Sequence, residues 1–298
     1  MILNAARRWA ASLQFRSLAF DEDLGAIASE GALRCRPSKE ALMKNHLKEI
    51  WSSGGVATGG WLIVPHRLTA MLMADVGFDY LCIDMQHGLI DLGETVAMLQ
   101  SLRGASPAPL VRVARNDSAI IGQVLDAGAL GVIIPMVNSA ADAEAAVRSC
   151  RYAPEGSRSW GPTYASRIYG DSSPATANAA VLCIPMIETA AAIEAVDDIL
   201  DVPGVDAIYV GPSDLAITYG LDPAGDRLDL LPETVANLPT AGSRRGVIAG
   251  IHTTPELAQL RRTQGFRMVT VCSDTVALAA GARQMYASGT ADGDAGSD

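Results

Sequence analysis

The chain has 298 residues, 49% of them hydrophobic and only 5% aromatic, and a formal net charge of −10. That length suits one α/β barrel of about 250 residues, and an acidic balance without a basic stripe argues against a nucleic-acid partner. No apolar run approaches the roughly 18 residues needed to span a bilayer, and five cysteines without CxxC pairing (Cys35, Cys82, Cys150, Cys183, Cys272) read as reduced thiols of a cytoplasmic protein, not as a zinc site.

In chain order, residues 1–42 read as an N-terminal extension, non-native or disordered, ahead of a natural start at Met43. Arg7, Arg8 and Arg16 with no acid before residue 21 also fit a transit segment, but Asp21, Glu22 and Asp23 follow at once. The barrel is expected over residues 43–288, beginning with the helical MKNHLKEIW, and residues 289–298 form a polar tail.

Eight short apolar runs are predicted as strands: Gly60–Pro65, Tyr80–Asp84, Leu110–Ala114, Gly131–Val137, Val181–Glu188, Asp206–Gly211, Val247–His252 and Met268–Ser273. Helical patterns such as Leu92–Arg103, Ser118–Ala127 and Ala140–Cys150 lie between them. Alternating βα units imply parallel strands with right-handed crossovers, and eight of them imply a closed (β/α)₈ TIM barrel. The doubly wound open sheet is the competing fold, but no GxGxxG follows the first strand. Two stretches break the rhythm. Arg151–Ala180 must fold back or reach a neighbouring subunit, and Leu221–Arg244 is rich in Asp, Pro and Gly.

Barrel enzymes place their reacting groups at the carboxyl ends of the strands. Here the apolar runs end in Asp84-Met85-Gln86-His87-Gly88, in Arg112, in Glu188 and in Gly211-Pro212-Ser213-Asp214. Glu188 and Asp214 on neighbouring strands would be costly to bury unpaired, and a hard divalent cation (Mg²⁺, Mn²⁺ or Co²⁺) would satisfy both. The competing reading makes them helix and turn caps. A free imidazole exchanges its proton near neutrality, so the residue type of His87 suits a base. Arg112, a guanidinium inside an apolar strand, needs an anion or an oxygen-rich partner. The three lysines, Lys39, Lys44 and Lys48, all precede the first strand, so no Schiff base is available in the pocket and enolate chemistry would need a metal.

These motifs resemble the metal-dependent pyruvate aldolases of the HpcH/HpaI family. The resemblance runs from about Lys44 to Ala287 and rests on GGWL, GFDYLCIDMQHG, VRVARND, LDAGALGVIIPMV, RYAPEGSRSWGPTYA, MIET and YVGPSDLA in that order. It implies a barrel of the phosphoenolpyruvate/pyruvate-binding type, with the C-terminal helix exchanged between subunits of a homohexamer built as a trimer of dimers. It implies a magnesium-type divalent cofactor held by Glu188 and Asp214, His87 as the base, and Arg112 stabilising the substrate oxyanion. Gly211, Pro212 and Ser213 would cradle the pyruvate carboxylate, and Trp61 would line the pocket. Asp126 matches an aspartate credited with raising the basicity of the histidine, whereas spacing alone selects Asp84, and both stay open.

The chain departs from the family pattern at two places. Met186 replaces a substrate-contacting glutamine, and Tyr164 replaces the arginine of GPTRA, with Arg158 or Arg167 as its possible substitutes. The implied activity is that of a lyase, cleaving a 4-hydroxy-2-oxo acid to pyruvate and an aldehyde, both small-molecule partners. The alternatives are another metal–enolate reaction (CoA ester lyase, citrate synthase-like or decarboxylating condensation) or a non-catalytic 2-oxo acid binding protein. No clear basic cluster offers itself to CoA phosphates.

Overall fold

The computed structural model describes residues 43–223, 231 and 233–290. The expectations for residues 1–42 and for most of the polar tail therefore lie outside the described residues; Gly289 and Thr290 end the last helix.

Eight parallel strands close into a barrel in sequence order. They are β1 (Ala57–Leu62), β2 (Tyr80–Asp84), β3 (Ala108–Arg112), β4 (Gly131–Ile134), β5 (Leu182–Ile187), β6 (Ala207–Val210), β7 (Ile248–His252) and β8 (Met268–Ser273). The strands read as near-continuous apolar runs because one face packs inside the barrel and the other under helices.

The wall helices are α2 (Arg67–Ala74), α3 (Leu92–Ser101), α4 (Ser118–Asp126), α5 (Ala140–Cys150), α8 (Ala190–Glu194), α9 (Val196–Leu200), α10 (Pro212–Thr218), α11 (Glu233–Ser243), α12 (Ala258–Thr263) and α13 (Asp274–Thr290). Local chemistry starts several of them. Asp91, Asp117, Ser139 and Thr189 each accept a first-turn N–H with their side-chain oxygens. A further helix, α1 (His46–Ser52), closes the amino end of the barrel. Asn45 ahead of it donates to Leu130 O (3.0 Å) and Ala180 O (3.1 Å), and Trp51 Nε1 donates to Arg267 O (3.0 Å), all just before strands begin.

The first strand begins at Ala57, three residues before the expected Gly60. Two glycines disguise it, and packing requires the first. A Cβ on Gly59 would lie 2.0 Å from Cζ of the Tyr80 ring on the neighbouring strand. That ring fills the barrel interior, where the Tyr80 and Tyr209 hydroxyls meet Oγ1 of Thr270 at 2.7 and 2.5 Å.

Arg151–Ala180 folds back, the first of its two expected alternatives. It carries two short helices, α6 (Ala165–Tyr169) and α7 (Pro174–Ala180), and packs on the end of α4. Tyr164 N–H donates to Asp126 O (3.1 Å) and Tyr169 OH to Gly128 O (2.7 Å). Along α13 only Asp274 is buried; Leu278 and Met285 are 72% and 78% exposed. Among the described residues no helix is long and apolar enough to cross a membrane.

Gly59→Ala should destabilise the barrel by about 1–3 kcal/mol, because the Tyr80 ring is fully buried and anchored at its hydroxyl by Thr270. Urea unfolding followed by circular dichroism reads this directly, and an unchanged midpoint would contradict the packing described.

Candidate active site

The carboxyl ends of β1, β2, β3, β5, β6, β7 and β8 open onto a cavity of about 720 Å³. Its lining brings together Trp61, Asp84, His87, Arg112, Met186, Gly211, Pro212, Ser213 and Asp214, nine of the residues singled out from sequence. Glu188 lies directly behind this lining, against Gly211.

One side is organised by Asp84, the last residue of β2 and only 1% exposed. The parallel register sets it beside Arg112 on β3. Arg112 Nε donates to Oδ1 (2.8 Å) and Nη2 to Oδ2 (2.5 Å), a two-pronged pair. The Trp61 indole N–H donates to Oδ2 (3.1 Å), and the backbone N–H groups of Gln86 (3.0 Å) and His87 (3.3 Å) donate to Oδ1. Burial alone would raise the Asp84 carboxyl, but Arg112 outweighs it and holds Asp84 below the ordinary carboxylate value. The Arg112 guanidinium also lies 5.0 Å from the centre of the Trp61 ring, which stacks on Tyr209 (5.5 Å) and meets His252 edge-on (5.3 Å). Gly88 lets the turn bearing His87 close, since a Cβ there would sit 2.2 Å from Asp84 O.

The facing side is acidic. Glu188 follows β5, is 1% exposed, and accepts the Met136 N–H at Oε1 (2.7 Å). Met136 presents that N–H from a left-handed backbone (φ 57°), which a non-glycine residue adopts only at a cost. Asn138 braces the turn by donating to Met136 O (3.1 Å) while its carbonyl accepts the Thr189 hydroxyl beside Glu188. Asp214 comes from the first turn of α10. Gly211 allows the close approach, because a Cβ there would lie 3.1 Å from Glu188 Oε2. Burial pushes the Glu188 carboxyl up and the Asp214 charge adds to it, against the pull of the Met136 N–H and Arg112.

Asp126 is not brought to this cavity within the chain. It ends α4, where Arg158 Nη2 binds its Oδ1 at 2.6 Å. Between the two aspartates left open by sequence, only Asp84 touches the turn that carries His87. Several site features escaped sequence reasoning. His252 ends β7 and was findable by the same strand-end rule. Tyr209 lies inside an apolar run, and the Met136 conformation leaves no residue signature. Among the described residues no three His, Cys, Asp or Glu side chains cluster as metal ligands, so a cation here would rest on two protein carboxylates.

A closed parallel barrel with a polar cavity at the carboxyl ends of its strands is the layout of a barrel enzyme. The model of the HpcH/HpaI aldolase/citrate lyase family matches residues 58–280. A hydroxypyruvate/pyruvate aldolase of Rhizorhabdus wittichii is 36% identical over 82% of this chain and 98% of its own. A 4-hydroxy-2-oxovalerate aldolase of Novosphingobium aromaticivorans is 40% identical over 69% of this chain and 80% of its own. The crystal structure of an HpcH/HpaI aldolase/citrate lyase family protein from Burkholderia cenocepacia superposes with a TM-score of 0.76 at 30% identity, covering 82% of this chain and 99% of that one. The chain belongs to the HpcH/HpaI aldolase/citrate lyase family and is a lyase.

Two outcomes follow from this geometry. An unfolded aspartate ionises near pH ~3.9, so the stability that Asp84 contributes is complete above that pH and is lost as pH falls through its lower folded value. Asp84→Asn should cost about 3–5 kcal/mol at pH 7 by stranding buried Arg112. The gap to the parent should close below about pH 4, as read by urea unfolding at pH 7 and pH 3; a gap of equal size at both would contradict the pairing. Met136→Val should be less stable than Met136→Gly by about 1–2 kcal/mol, since a β-branched side chain resists the left-handed region. Thermal unfolding of the two variants decides it.

Proposed function

We propose that this enzyme is a divalent-metal-dependent aldolase that cleaves a 4-hydroxy-2-oxo acid to pyruvate and an aldehyde. The observation that supports this most is the charge pattern of the cavity. Arg112 is paired with Asp84, and among the described residues neither Glu188 nor Asp214 forms a salt bridge, while the Asp214 charge helps push the Glu188 carboxyl up. Two hard, negatively charged oxygen donors suit Mg²⁺, Mn²⁺ or Co²⁺, which Glu188 and Asp214 would hold. When bound, such an ion supplies Lewis-acid polarisation of a 2-oxo acid.

The chain's own residues supply the rest. The backbone of Gly211, Pro212 and Ser213 lines the cavity beside Asp214 and receives the substrate carboxylate. Trp61 and Met186 close the pocket around the 2-oxo acid. His87, exposed on the turn that Asp84 holds, takes the proton from the 4-hydroxyl group. The C3–C4 bond then breaks and the aldehyde leaves. Arg112 Nη1 donates to the oxyanion of the pyruvate enolate, which gains a proton at C3. Asp84 acts as the positioning residue for both Arg112 and the His87 turn.

The reading extends to the setting of the enzyme. The exposed apolar side chains of α13 (Val276, Leu278, Met285) and of α2 (Leu68, Met71, Leu72) support a homo-oligomer, a hexamer built as a trimer of dimers with α13 exchanged between copies. The free thiols of Cys82, Cys150, Cys183 and Cys272 support a reducing, cytoplasmic location.

Exchange of the pyruvate C3 protons in D₂O, followed by NMR, tests the enolate site without needing the aldehyde. Exchange should appear with Mg²⁺, Mn²⁺ or Co²⁺ and vanish with EDTA. Arg112→Lys keeps a charge beside Asp84 but loses the fork, and should slow exchange by about 10²-fold or more. No exchange with any of the three metals, or a Lys variant as fast as the parent, would rule out this assignment.

A further inference from the structure

A second buried carboxylate holds the end of β1, across the seam where the barrel closes. β1 and β8 run side by side there, with Trp61 opposite Ser273. Their register slips between Gly59 and Gly60, which passes over Val271 and interrupts the backbone ladder just before Trp61. Asp274, the residue after Ser273, carries the connection further. Ile63 N–H donates to both of its carboxylate oxygens (3.1 Å each) and Val64 N–H donates to Oδ2 (2.9 Å). The side chain sits in a residue only 3% exposed, and its described donors, Thr275 N–H (2.7 Å) included, are all backbone N–H groups.

Asp274 opens α13, and the ordinary task of an acid there is to cap the helix. Ser273 does that instead, accepting the Val276 N–H at Oγ (3.4 Å). The Asp274 carboxylate fixes the chain immediately after Trp61. The Trp61 indole N–H in turn donates to Asp84 Oδ2 (3.1 Å), and its ring faces the Arg112 guanidinium (5.0 Å). A shift of the β1 end would take a donor from Asp84 and an aromatic face from Arg112 together. Glu188 and Asp214 stand on β5 and α10, away from this seam.

Resting on the aldolase reading above, we infer that Asp274 is a positioning residue for the enolate step, holding Trp61 against Asp84 and Arg112 by fixing the backbone of Ile63 and Val64. It thereby joins the root of α13 to the arginine that stabilises the oxyanion. Asp274→Asn is nearly isosteric, but it turns one oxygen into an NH₂ group that meets a backbone N–H, donor against donor. Asp274→Ala removes both acceptors.

The test uses the full-length, Mn²⁺-loaded protein, with pyruvate C3 exchange in D₂O expressed per folded chain as read by circular dichroism. Asp274→Asn should lower kcat for exchange by at least about tenfold, since small misplacements around a reacting centre are costly, and Asp274→Ala should lower it further. Mn²⁺ affinity, followed by the electron paramagnetic resonance of the free ion, should stay that of the parent. Tryptophan fluorescence should change in Asp274→Asn, and that change should vanish when the same substitution is made in Trp61→Phe protein. A less stable Asn variant that still exchanges at the parent rate overturns the inference. Slowed exchange with the Trp61 signal unmoved, or with an equal loss of Mn²⁺ binding, overturns it too. In each of these cases metal-dependent exchange by the parent leaves the aldolase reading standing. Absence of exchange in the parent overturns that reading and this inference with it.

Discussion

A carboxylate buried at the end of β2 is the constraint around which the site is arranged. Asp84 is almost wholly removed from water, a position an ionised group keeps only when its lone pairs are filled. The barrel fills them with Arg112, the Trp61 indole and two backbone N–H groups of the next turn. Those partners are the arginine, the aromatic wall and the histidine-bearing turn that line the candidate site. Satisfying one buried charge thus sets the places of three groups drawn from β1, β2 and β3.

The opposite wall follows a different rule. Glu188 and Asp214 are brought close by a glycine at the end of β6, and only one backbone N–H and a remote arginine oppose their repulsion. The left-handed Met136 turn, braced through Asn138 and Thr189, exists in a shape that delivers that N–H. Strain and repulsion concentrated at one strand end are the marks of a site shaped for a ligand more than for stability.

The same barrel separates what is common to the family from what is particular to this chain. The inner groups stand on strand ends, where neighbouring strands fix their spacing. The outer rim of the cavity stands on the β7–α12 connection and on α13 beyond Asp274, which adapt without disturbing the barrel.

Much of this was legible in the residues alone. Eight apolar runs and their polar ends announced the barrel and nine of the residues that line the cavity, because strands buried on both faces must be apolar and their carboxyl ends are where polarity is tolerated. The absence of lysine after residue 48 turned the chemistry toward a metal. Other features could not be read this way. That Asp84 holds the His87 turn, while Asp126 pairs with Arg158 at the end of α4, depends on which strands are neighbours and where α4 ends, and no local pattern records either. The start of β1 was hidden by glycines whose reason is the Tyr80 ring on the next strand. The burial of Arg158 against Asp126 joins residues far apart in the chain, and such a pairing arises from packing rather than from sequence spacing. By itself the sequence determined the fold class and the kinds of group available, since those follow from local periodicity and residue chemistry. The tertiary structure alone decided which charges meet, since that depends on distances no local pattern records.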